Sequence, residues 1–151
     1  MPRVQSSVQI NAPPEAAWAL MCDVRRYPEW VVPTDRIIEL PVGTLGRGSV
    51  YREYGGIPPF KSESEWRVME FEPQRRQVHM GDDGSMRIKL TIEITPSGEG
   101  SQVMQRVELT PRWWLRLPSL VMWPLLMRSR TRRAMDETAA NAKRVLEAGT
   151  G

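Results

Sequence analysis

The chain has 151 residues, of which 40% are hydrophobic and 26% charged, and a formal net charge of +3. That length suits one domain, residues 1–151, able to remove about two-thirds of its unfolded surface from water, and the composition excludes a disordered chain. Residues 112–151 hold eight basic and three acidic side chains, the remainder thirteen and fifteen. The basic character is therefore local, which argues against a broad nucleic-acid-binding face.

The amino-terminal MPRVQSSVQI lacks the apolar core of a secretory signal, so a cytoplasmic location is expected. Residues 4–10, VQSSVQI, alternate apolar and polar and predict a half-buried strand. NAPPEAAWALMCDV follows, with prolines at the break and Glu15 suited to a helix amino terminus. Ala17, Leu20, Met21 and Val24 recur at helical spacing and predict one buried face. Cys22, the single cysteine, forms no internal disulfide and reads as a small buried hydrophobe. A second short helical piece begins near RRYPEWV, with Asp23 as its expected cap and Pro28 in its first turn.

Six more strands are expected, over residues 35–42, 48–55, 62–72, 76–80, 85–95 and 101–110. Met86, Ile88, Leu90, Ile92 and Ile94 alternate with polar residues, so one face of that strand is wholly apolar. The connections are short and rich in Gly, Pro and Asp, as a consecutive antiparallel meander requires. From about Leu117 to Ala148 the chain reads as a helix that Pro124 should kink and Gly149 should stop.

A strand, two short helices, six strands and one long helix form a specific order. Together with INAPPEAAWALMCDVRRYPEW (10–30), GSVYREY (48–54) and WRVMEFEPQRRQV (66–78), it resembles the START-like superfamily, also called SRPBCC or Bet v 1-like. It looks closest to the bacterial polyketide cyclase/dehydratase branch, with coenzyme-Q-binding and lipid-transfer branches as neighbours. The resemblance implies an α+β helix-grip fold: a seven-stranded curved antiparallel sheet wrapped around the C-terminal helix, with an apolar cavity between them. Independently, a sheet with one apolar face needs a cover, and the long helix is the large element available.

No metal constellation is legible, since His79 and Cys22 are the only residues of their kinds, and no cofactor motif is present. Alternation sets His79 opposite Val78 and Met80. If those two line the interior, His79 is a surface residue; with the strand turned the other way, it is a general acid or base. Tyr51 and Arg52, inside a pocket, would polarise a ligand carbonyl and stabilise an enolate, as cyclisation of a polyketone demands. Tyr51 shares a strand face with Glu53, and Arg52 with Tyr54. Trp66 is either a wall of the cavity or a packing residue against the amino-terminal helices. Met86, Ile88, Leu90, Ile92, Met104, Met127 and Met135 are expected to line the ligand space, the methionines adapting to an irregular apolar molecule.

The stretch PRWWLRLPSLVMWPLLMRSRTRR (111–133) is too short and too interrupted to span a bilayer. It is expected to act as a lid, with Leu117, Leu120, Val121, Pro124 and Met127 facing inward and Met135, Thr138 and Ala142 continuing the stripe. The alternative is peripheral membrane contact through residues 113–133, tryptophans at the interface and arginines toward anionic headgroups. The leading function is binding or transport of a hydrophobic small molecule by a monomer or homodimer. The alternatives are a cofactor-free cyclase and a protein-interaction factor of the antitoxin or ribosome-associated type.

Overall fold

A computed structural model describes residues 3–150, with side chains through residue 148; residues 1, 2 and 151 of the expected domain lie outside them. The chain runs β1 (Arg3–Ile10), α1 (Pro14–Cys22), a 3-10 turn (Val24–Arg26), α2 (Tyr27–Trp30), then six strands. These are β2 (Thr34–Glu39), β3 (Val50–Ile57), β4 (Phe60–Glu72), β5 (Arg76–Asp82), β6 (Met86–Ser97) and β7 (Gly100–Pro111). After a short turn come α3 (Arg116–Met122), a π-helical turn (Trp123–Met127) and α4 (Arg128–Thr150). One seven-stranded antiparallel sheet has the order β1-β7-β6-β5-β4-β3-β2, a meander whose first strand closes onto its last. This is the helix-grip fold that the element order predicts.

Strand register fixes the concave face. Ile88, Leu90, Ile92 and Ile94 of β6 stand beside Leu109, Val107, Gln105 and Val103 of β7 on one side. On the other side, Ile88, Leu90 and Ile92 face Gly81, His79 and Gln77 of β5. Helix α1 covers the Ile92–Ile94 end of this face. Its Ala17, Leu20 and Met21 are buried as predicted and join Ile10, Ile94, Val103, Ala142 and Leu146 in one apolar cluster. Asp23, expected to cap the next helical piece, makes no side-chain cap bond. Its carbonyl accepts the Arg26 amide instead, at 3.0 Å, and the Tyr27 hydroxyl donates to the Met21 carbonyl at 2.6 Å.

Helix α4 approaches the sheet on a stripe of small residues. Thr131, Ala134, Met135, Thr138, Ala139, Ala142 and Leu146 are buried, and short side chains let the backbones come close. Polar ties fix its position: Ser6 Oγ donates to Asp136 Oδ1 (2.8 Å) and the Val32 amide to Thr138 Oγ1 (3.0 Å). Gly149 does not end the helix, which continues to Thr150. Pro124 neither splits nor sharply breaks it; the missing N–H is absorbed in the wide π turn Trp123–Met127.

Residues Arg116–Thr150 thus form one continuous rod of about 50 Å at ~1.5 Å per residue, against about 40 Å for the 12-residue strands β6 and β7. Its start is pinned where β7 ends. The Arg112 amide donates to the Ser85 carbonyl at 2.9 Å, and the Arg112 guanidinium pairs with Asp82. The first turns consequently overhang. Leu117 (78% exposed), Leu120 (72%), Val121 (62%) and Pro124 face solvent, not the sheet. The inward lid expected of these residues is not what the structure adopts; of the expected inward stripe before α4, only Met127 is half-buried.

Candidate functional site

With the lid turned outward, the concave face is fully buried at its Ile94 end and only partly so toward Met86. Met86, Ile88, Leu90 and Val107 are only half-buried, although the register points them inward. Ile92 is buried in the apolar cluster that holds Ala17, Leu20 and Met21 of α1, and Met135, on α4 itself, is buried too. Met104 lies opposite Ser7 and Glu93 on the convex face, because β7 directs Val103 and Gln105 inward. It is therefore not part of the lining expected for it.

Beside this apolar floor lies a buried polar chain. The Tyr51 hydroxyl and His79 Nδ1 are 2.8 Å apart, and His79 Nε2 lies 2.8 Å from Gln77 Oε1. The amide oxygen can only accept, so His79 carries its proton on Nε2 and Nδ1 accepts from Tyr51. Gln77 Nε2 in turn donates to Cys22 Sγ at 3.4 Å. Burial holds every member uncharged. His79, fully buried, is pushed down to about 4, Cys22 up to about 11, and Tyr51 well above the ordinary phenol range.

His79 thus faces inward, the less simple of its two expected orientations, and Val78 is buried in the opposite sense. Tyr51 and His79 are brought together, but each satisfies the other rather than the open space. Arg52 is not brought to them. It points to the convex face, 3.5 Å from Glu63, since β3 turns Tyr51 and Glu53 inward.

Trp66 is a packing residue of the core. Its indole lies parallel to the Tyr51 ring at 6.3 Å between centroids, and Tyr51 meets Tyr27 edge-on at 5.9 Å. The indole rests flat on β5 because the position opposite it is Gly81. A Cβ there would come within 2.6 Å of the ring. Gly81→Ala should therefore lower stability by about 1–3 kcal/mol in urea unfolding, as overpacking does. In a Trp66→Leu background the same change should cost nothing.

Glu53 is the group that sequence reasoning left aside. Its carboxyl is buried, accepts from Thr34 Oγ1 at 2.9 Å, and lies close to the Trp66 indole N–H, which also donates to Ser64 Oγ at 2.8 Å. Burial raises it to about 7, with the Thr34 and Trp66 hydrogen bonds pulling back down. The signal was present: once Tyr51 is placed inward, period two carries Glu53 with it. Among the described residues no cluster of His, Cys, Asp and Glu could hold a metal ion.

A family model described as polyketide cyclase / dehydrase and lipid transport matches residues 1–147. The chain belongs to this family. Among solved structures, this polyketide cyclase / dehydrase and lipid transport family member superposes on TTHA0849 from Thermus thermophilus with a TM-score of 0.81 at 16% identity, covering 99% of this chain and all of that one. The ZhuI aromatase/cyclase from Streptomyces sp. R1128 gives a TM-score of 0.75 at 15% identity, over 99% and 96% of the two chains. At such identities the likeness is one of fold. In sequence, the family member is 27% identical over 114 residues to Toxin Rv0910 of Mycobacterium tuberculosis, 72% of this chain and 76% of that protein. No helix among the described residues is long and apolar enough to cross a membrane.

Proposed function

We propose that the chain binds a hydrophobic small molecule on the partly buried end of the concave face, between the sheet and the C-terminal helix. A lipid, isoprenoid, polyketide or aromatic compound fits the chemistry. The observation that carries this reading is the set Met86, Ile88, Leu90 and Val107: apolar, inward by register, and still not fully buried. Soluble proteins seldom leave such a floor uncovered unless something occupies it. Family membership supports the same class of ligand. Native mass spectrometry of gently purified protein should show a retained apolar molecule that organic solvent releases. Leu90→Glu should reduce its retention about tenfold or more while leaving the circular dichroism unchanged, because burying a carboxylate against an apolar ligand is unfavourable. Retention that ignores Leu90→Glu would sink the reading.

A second reading, a cofactor-free cyclase, is favoured by one group. Glu53, buried on β3 and raised by burial to about 7, is matched to proton transfer at working pH. Under that reading Glu53→Gln keeps the ligand and loses turnover. Tyr51, Arg52 and His79, first choices for this chemistry on sequence, are less suited: the first and last are engaged with each other, and the second lies outside.

A further inference from the structure

We infer that the outward face of Trp113–Met127, with the arginines flanking it, docks on an anionic lipid bilayer surface. In this segment Leu115, Ser119, Trp123 and Met127 recur every fourth residue and are half-buried toward the protein. The opposite face is made by Leu117, Leu120, Val121 and Leu125, at i, i+3, i+4 and i+8, with Leu125 79% exposed. An ordinary surface helix turns charged residues outward there; this one turns leucine and valine outward. Trp113 (79% exposed) and Trp114 (53%) continue the apolar face at its start.

The charges around that face name the occupant. From Leu109 to Met135 the sequence contains no acidic residue and six arginines: Arg112, Arg116, Arg128, Arg130, Arg132 and Arg133. Arg112 is held by Asp82; Arg116, Arg128, Arg130, Arg132 and Arg133 are exposed, and of these Arg130 donates to the Pro58 carbonyl (3.0 Å) and Arg132 to the Gln5 carbonyl (3.4 Å), neither of which neutralises their charge. Apolar side chains bordered by unneutralised arginines match an interface in which headgroups are negative and the acyl boundary lies just beneath. A second copy of this chain would fit the apolar face but would set two arginine flanks against each other without an acidic partner in the segment. Nucleic acid would satisfy the arginines and leave the aliphatic face in water. The residues suited to the aromatic level of a bilayer, Trp113 and Trp114, stand at the same end as the Arg112–Ser85 tie. Docking therefore brings the floor at Met86 beside the lipid. Direct passage of a ligand between bilayer and floor rests on the function proposed above; the docking itself does not.

The experiment is flotation of the full chain with vesicles of phosphatidylcholine alone or mixed with phosphatidylserine, no other ligand being added. Binding to the mixed vesicles is expected, with little to the neutral ones and release as salt is raised. Leu117→Glu with Leu125→Glu should reduce binding about tenfold or more, and so should Arg128→Gln with Arg130→Gln and Arg133→Gln. All five positions are exposed, so thermal unfolding should show the variants folded. Absence of binding to the mixed vesicles would overturn the inference. Equal binding to both vesicle types, or binding indifferent to the leucine variant, would do the same. So would a dimer in sedimentation that the leucine variant dissolves while the wild type ignores vesicles. None of these failures touches the ligand-retention experiment, which reads a different face.

Discussion

His79→Ala should destabilise the chain by about 4 kcal/mol or more, a large part of the ~5–15 kcal/mol that holds a domain of this size together. Two effects add. The imidazole is fully buried, so its removal leaves a cavity, and both of its nitrogens are hydrogen-bonded, so the Tyr51 hydroxyl and the Gln77 carbonyl lose their partner. His79→Phe separates the two. It keeps the ring and most of the volume, and should still cost about 2–4 kcal/mol because a buried polar group left unpaired costs ~1–3 kcal/mol. Tyr51→Phe should cost less in the His79→Phe background than in the wild type, since the hydroxyl it deletes is already orphaned there. Urea unfolding of the four proteins measures this coupling. Strictly additive losses would show that the two side chains do not act as a pair.

How much of this was legible in the sequence depended on where the deciding force lay. Strand β6 was legible because Ile88, Leu90, Ile92 and Ile94 alternate cleanly and the core falls on one side of them. Strand β5 was not. Gln77, Val78 and His79 are buried in succession, so both faces are covered and alternation alone leaves the parity of His79 undecided. Chemistry pairs Tyr51 with Arg52, but neighbours in a strand point to opposite faces, and parity pairs Tyr51 with Glu53 instead. The buried carboxyl was hidden for another reason. An acidic residue in a strand reads as solvent-facing until Thr34 and Trp66, 19 and 13 positions away in the chain, are brought against it. The lid failed as an expectation because apolar composition says that a segment wants cover without saying what covers it. Its direction is set by the tie of Arg112 to Ser85 and Asp82, a long-range contact with no local signature.

The pH dependence of stability should expose Glu53 and His79 as opposing groups. Glu53 sits near 7 in the folded chain against an ordinary 4.5, so between those values the folded state holds the proton that the unfolded state has released. Stability falls as pH rises through that window, by about 3 kcal/mol in all. His79 sits near 4 against an ordinary 6.5, so the unfolded state takes up a proton that the folded state refuses. Its effect runs the other way: stability falls, by about 3 kcal/mol, as pH drops through 6.5 toward 4. From about pH 4.5 to 6.5 the slopes cancel, and the wild type should be nearly flat there. Tyr27 and Tyr51, whose hydroxyls burial raises, stay protonated throughout, and the lowered carboxyls of Asp82, Glu29 and Glu147 lose their contribution only below this range. Each single variant should therefore tilt the profile. Glu53→Gln leaves His79 unopposed and should lose about 3 kcal/mol on acidification from about pH 6.5 to 4.5. His79→Phe leaves Glu53 unopposed and should lose about as much on alkalinisation from about pH 4.5 to 7. Denaturation midpoints across this range decide the matter. A Glu53→Gln profile as flat as the wild type would mean that the carboxyl is solvated and ionised, and would remove the ground for the proton-transfer role proposed for it.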